Sequence, residues 1–143
     1  MIRAALLTAT LIITAPAAQA QAQSKAAAYL VKQAIAEGCE GGKGTMGPSG
    51  IIERDLNGDG LSDLILADDA LSCSGQSERS LNCGMQVCSV TFYLRRGELL
   101  QKVHEMLGAD VTVGTGQIPK VFMNAHGGSR GFVRWNGRTF ANR

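Results

Sequence analysis

A largely apolar stretch from Ala4 to Ile13 follows the basic Met1-Ile2-Arg3, and Ala18-Gln19-Ala20 then puts small residues two apart. Charge, apolar core and small-x-small site in that order read as a secretory signal peptide, so residues 1–20 are expected to be removed. The core is about ten residues, half of what a bilayer-spanning helix needs, and no Cys stands at the cleavage point to carry a lipid. From Gln21 to Glu37 the chain is rich in Ala, Gln, Lys, Leu and Ile, without Pro or Gly. That composition favours a helix over 21–38, with Tyr29, Leu30, Ala34 and Ile35 as a narrow apolar stripe and Gly38 at its C-cap.

Beyond Gly38 the period shortens to two. Leu64-Ile65-Leu66-Ala67 is a continuous apolar run bounded by acids, as expected of a strand buried on both faces. Cys88, Val90, Phe92 and Leu94 alternate with Ser89, Thr91 and Tyr93, a half-buried strand with Cys88 pointing inward. Arg96-Gly97 turns this strand, and Leu99 to Leu107 returns as its antiparallel partner. Lys120 to Ala125 reads as another strand, turned by Gly127-Gly128. Phe132 to Phe140 then reads as a hairpin on the two-residue turn Asn136-Gly137, with Trp135 and Phe140 capping the core. Glu40 to Gly50, with its glycines and Pro48, reads as a mobile connector. It departs from a phosphate-binding P-loop, which needs Gly where Glu37 stands and Ser or Thr where Gly44 stands. The fold class expected is mainly β: an N-terminal helix and then one β-rich domain over 39–143, a small antiparallel meander, sandwich or barrel-like.

Four cysteines, Cys39, Cys73, Cys83 and Cys88, lie beyond the leader. In an oxidising compartment an even count argues for two disulfides, with three pairings open. Cysteines at the borders of the polar Ser74–Ser80 loop would tether it. No Cys-x-x-Cys is present and both histidines lie far along the chain, which argues against zinc or a redox pair. The formal net charge of +2 argues against bulk nucleic-acid binding, but the distribution is lopsided. Glu53 to Asp69 holds six acids against Arg54, whereas Val111 to Arg143 holds Lys120, Arg130, Arg134, Arg138 and Arg143 and no acid. The acidic block suits a cation site; the basic one suits a solvated face or a docking surface for an anionic partner.

Within the acidic block, Asp55-Leu56-Asn57-Gly58-Asp59-Gly60-Leu61-Ser62-Asp63 puts oxygen-bearing side chains at alternate positions. Calcium takes six to eight oxygens at about 2.4 Å, and such a curled loop can deliver them. The expected ligands are Asp55, Asn57 and Asp59 by side chain, Leu61 by its carbonyl, and Asp63 directly or through water. An EF-hand would need a bidentate Glu where Leu66 stands, and helices where the flanks look like strands. The segment instead resembles the calcium-binding strand–loop–strand of FG-GAP and VCBS-type repeats, Asp-x-Asx-x-Asp-Gly-x-x-Asp followed by an apolar strand. More loosely, the whole chain looks like small secreted proteobacterial proteins that carry one such loop. What the resemblance implies is a structural calcium between strands, with no catalysis. The competing reading is an unoccupied Asx-rich turn, since Asn57-Gly58 is itself a turn signal.

The function expected from the sequence is therefore a periplasmic or secreted, non-catalytic, calcium-binding domain. It would be a monomer without stable membrane insertion, binding an unidentified extracytoplasmic protein or envelope polymer. One alternative is an inhibitor or accessory protein of an envelope enzyme. Another is a small hydrolase using His104 or His126, because His126-Gly127-Gly128-Ser129 looks like an esterase oxyanion segment. Asp68 and Asp69, adjacent on a strand, would face opposite ways and so make a poor catalytic pair.

Overall fold

The computed structural model describes residues 23–142; the expected leader lies outside them. Helix α1 (Lys25–Gly38) starts where Ser24 Oγ accepts a hydrogen bond from the Ala27 amide, a side-chain N-cap. Of the expected stripe, Leu30, Ala34 and Ile35 face the body and Tyr29 does not. Tyr29 is 62% exposed, whereas Ala27, Leu30, Val31 and Ala34 pack on Leu64 and Leu66. Gly38 is the last residue of the helix and no left-handed cap; Cys39 leaves in an extended conformation, and glycine is needed at 38 for space, since a Cβ there would lie 2.8 Å from both Leu71 Cδ2 and Ser80 Oγ.

The glycine-rich stretch expected as a connector holds β1 (Gly44–Met46) between two 3-10 turns. β1 pairs antiparallel with β4 (Leu71–Cys73) as a separate ribbon. Its glycine permits close approach, since a Cβ on Gly44 would sit 2.6 Å from the Ser72 carbonyl oxygen and 2.7 Å from Cys39 Sγ. The disulfides are Cys39–Cys73 and Cys83–Cys88. The first staples the end of α1 to the ribbon. The polar loop after Cys73 is thus not closed by a Cys73–Cys88 bridge; Asp68 holds it, accepting from Ser80 Oγ and Asn82 Nδ2, both at 2.9 Å.

The main sheet is an antiparallel meander in chain order, β2 (Ile51–Arg54), β3 (Asp63–Ala67), β5 (Cys88–Arg96), β6 (Leu99–Val113), β7 (Val121–Asn124), β8 (Arg130–Trp135) and β9 (Phe140–Ala141). The mainly β class with an N-terminal helix is therefore as expected. β3 is buried along its whole length and serves two cores. Leu64 and Leu66 face α1, while Ile65 and Ala67 join Val90, Phe92 and Leu94 on the other face. β6 runs on past Leu107 and bends at Asp110, a non-glycine residue with φ 52°, whose amide donates to the Asp69 carboxylate at 2.7 Å. The bend folds β7–β9 over the inner face, so Val111, Val121, Met123, Val133 and Phe140 complete the main core, with Phe140 stacked on Phe92 at 4.4 Å. Trp135 packs against this cluster. The β8–β9 turn is longer than the two residues expected: the Asn136 amide donates to the Thr139 carbonyl, and Asn136 Oδ1 accepts from the Arg138 and Thr139 amides.

Two disulfides suit an oxidising, extracytoplasmic setting. Among the described residues no helix is long and apolar enough to cross a membrane.

Candidate metal centre

The 55–63 loop joins β2 to β3 and is anchored by Leu56, which is fully buried in the main core. Around that anchor the side chains cap the backbone in sequence. Asp55 Oδ1 accepts from the amides of Asn57 (3.2 Å) and Gly58 (2.7 Å), and Asp55 Oδ2 from that of Gly60 (2.8 Å). Asn57 Oδ1 accepts from the Asp59 amide at 3.0 Å, and Asp59 Oδ1 from the Leu61 amide at 2.8 Å. Asn57 Nδ2 donates to Asp59 Oδ2 at 3.0 Å. These bonds hold the curl by the local side-chain capping that Asx residues favour. Gly58 and Gly60, with φ 81° and 83°, meet the curl for different reasons. A Cβ on Gly58 would also press on Ile118 at 3.0 Å, whereas Gly60 has open space and only its left-handed backbone matters.

Asp63 stands apart from this ring. Its side chain is wholly buried, with Oδ2 accepting from the Leu56 amide and Oδ1 from the Arg95 amide, each at 2.8 Å. Burial pushes its pKa up, the two amide bonds oppose that shift, and the charges of Asp59 and Asp55 add to it. The sequence gives no sign of the residue that completes this arrangement, Arg95. Its guanidinium donates to the carbonyls of Ser62 (3.0 Å) and Glu98 (3.3 Å) and to Ser24 Oγ (3.0 Å), and it lies 3.8 Å from Glu53. One side chain thus ties the end of the loop to the start of α1 and to the β5–β6 turn.

On donor chemistry the loop fits a hard divalent cation. Asp55, Asn57 and Asp59 crowd oxygens onto one turn, none of Asp55, Asp59 and Asp63 has an ion pair among the described residues, and Leu61 lies at the exposed end. The side chains are not drawn around one point, however: among the described residues no three His, Cys, Asp or Glu are gathered closely enough to enclose a metal. Asp55 Oδ1 already accepts two amide bonds, whereas Asp55 Oδ2 and both oxygens of Asp59 and of Asp63 accept one each and keep a second lone pair for an ion.

The other candidates are dispersed. Asp68 and Asp69 occupy a 3-10 turn and bond to different partners, Asp68 to Ser80 and Asn82, Asp69 to the Asp110 amide. His104 rests against Phe92 and Phe140, with Nδ1 3.2 Å from Thr139 Oγ1. His126 is exposed on the β7–β8 turn. Gly127-Gly128-Ser129-Arg130-Gly131 has the Gly-x-Ser-x-Gly spacing of an esterase nucleophile, but it joins two antiparallel strands, where that motif needs a strand-to-helix elbow. The chain matches no family model, no curated protein and no solved structure.

Proposed function

We propose that this is an exported, periplasmic or secreted, non-catalytic β domain whose 55–63 loop takes one structural calcium ion and whose surface binds an extracytoplasmic protein or envelope polymer. The observation that carries the metal half is the concentration of Asp55, Asn57 and Asp59 on one backbone-capped turn, with no cationic side chain among the described residues paired to any of the loop's three carboxylates. Like charges held this close repel, and a divalent cation removes that cost. The residues that would hold it are Asp55, Asn57, Asp59 and the Leu61 carbonyl, with Asp63 joining directly or through water. With no bidentate Glu, the affinity expected is that of extracellular modules, about 0.1–1 mM. The disulfides support the exported setting.

Thermal unfolding with calcium and with chelator tests the metal reading. An ion that binds only the folded form adds RT ln(1 + [L]/Kd), about 1.4 kcal/mol at ten times Kd. A melting temperature unmoved by millimolar calcium would reduce the loop to an Asx-rich turn.

A further inference from the structure

We propose that the open edge of β6 accepts an extended, acidic protein segment as an added strand, one apolar side chain of which fills the cavity beside that edge. This names the partner class in the binding half of the proposed function and does not depend on the metal half. β6 pairs with β5 from Leu99 to Gly108 but with β7 only from Ala109 onward. Between Leu99 and Leu107 one side of the strand meets no other strand among the described residues, which leaves main-chain donors and acceptors for a partner. Beside it lies a cavity of about 310 Å³ lined by His104, Met106 and Leu107 of β6, Met123 of β7, Phe132 of β8 and Phe140 of β9. Leu107 is 59% exposed.

The charge around it decides the chemistry of the occupant. On the edge itself Lys102 and Glu105 pair with each other and cancel. Arg134 on β8, next to the lining residue Val133, and Arg138 on the following turn, next to Thr139 that bonds His104, are exposed, and neither is in a salt bridge among the described residues. No acid occurs from Val111 to the end of the chain. Strand-edge hydrogen bonding, an apolar cavity and positive surroundings together fit an extended segment in which acidic and apolar residues alternate. Lys102 on the edge and the extra residue Val103, which breaks the register opposite Phe92 and Tyr93, discourage pairing with an arbitrary strand. A second copy paired edge to edge through β6 would bring the same arginines to the contact, so its charge does not complement this face.

The test is selection of displayed random peptides, about nine residues long, on the whole leaderless protein in calcium and again in chelator. Acidic–apolar alternating sequences should be enriched in both, and a synthetic peptide of the enriched sequence should slow amide exchange at Leu99–Leu107. Leu107→Glu and Arg134→Glu should each weaken it roughly tenfold or more, with Met85→Ser, at a position 91% exposed and outside the cavity lining, unchanged. Enriched sequences without acids, protection confined to other segments, competition by dextran sulfate without protection at β6, or sedimentation as a dimer through this edge would each overturn the proposal. Because the cavity shares no residue with the 55–63 loop, a missing calcium shift would sink the metal reading and leave this one standing, and missing peptide capture would do the reverse.

Discussion

Asp63 carries a carboxylate into the interior and commits one oxygen to each of two main-chain amides. Asp59, at the exposed rim of the same loop, bonds only to its immediate neighbours. The two should therefore separate structural from metal-linked effects. Asp63→Ala strands the buried amide of Leu56 and the half-buried amide of Arg95 and should cost about 2–4 kcal/mol even in chelator. Asp59→Ala should stay within about 0.5 kcal/mol of the parent in chelator and abolish the calcium-dependent gain; urea unfolding in both conditions reads both. Tyr93 makes a prediction of a different sign. Burial first, then the charges of Glu37, Glu105 and Asp68, push its phenol above the ordinary value. Below about pH 10 the phenol is neutral in both states, and above it the unfolded chain ionises first, so stability is lost as pH rises through the raised value. Tyr93→Phe should remove that alkaline loss, measured as the midpoint of chemical unfolding between neutral pH and pH values above 10.

At the scale of single elements, glycine is where sequence and structure part company. Gly44→Ala places a methyl group 2.6 Å from a strand carbonyl and 2.7 Å from the Cys39 sulfur, so it should cost about 1–3 kcal/mol by overpacking. Gly60→Ala meets no neighbour but must hold φ 83° and should cost about 1–2 kcal/mol through the backbone alone. Composition reads Gly44 as flexibility, which is why β1 was hidden inside an expected connector, whereas Gly60 stands where the curl of the loop needs backbone freedom. β5 was legible because Cys88, Val90, Phe92 and Leu94 alternate strictly and every one of them is buried. β6 was legible only as far as Leu107, because the register shift between Ala109 and Thr112 breaks the period of two beyond it. In the same way the capping of the 55–63 loop is local and could be read from spacing. The Asp63–Arg95 bond spans 32 residues of sequence and depends on β3 and β5 lying side by side, which no local pattern reports.

Across the whole molecule, β3 is sandwiched between the core under α1 and the core under β7–β9, while a third cluster of Cys39, Met46, Leu71 and Cys73 holds the end of α1 to the β1–β4 ribbon. The two disulfides enter this arrangement unequally. Cys39–Cys73 spans 34 residues and links separate elements, whereas Cys83–Cys88 spans 5 within one loop. If a cross-link stabilises mainly by restricting the unfolded chain, removing the first should cost about 4 kcal/mol and the second about 2. The difference also has a place: with Cys39 and Cys73 both replaced by Ser, the last turns of α1 lose their covalent tie. Amide exchange in α1 should then rise ahead of that in β3 and β5, while the same replacement at Cys83 and Cys88 should leave α1 protected. Any calcium-dependent gain should survive in both, because Leu56 and Asp63 anchor the 55–63 loop to the main core and to β5, and neither anchor touches a cysteine. Equal destabilisation by the two replacements, or loss of the calcium response with Cys39–Cys73, would mean that the ribbon and the loop belong to one cooperative unit and that the division into three clusters is only geometric.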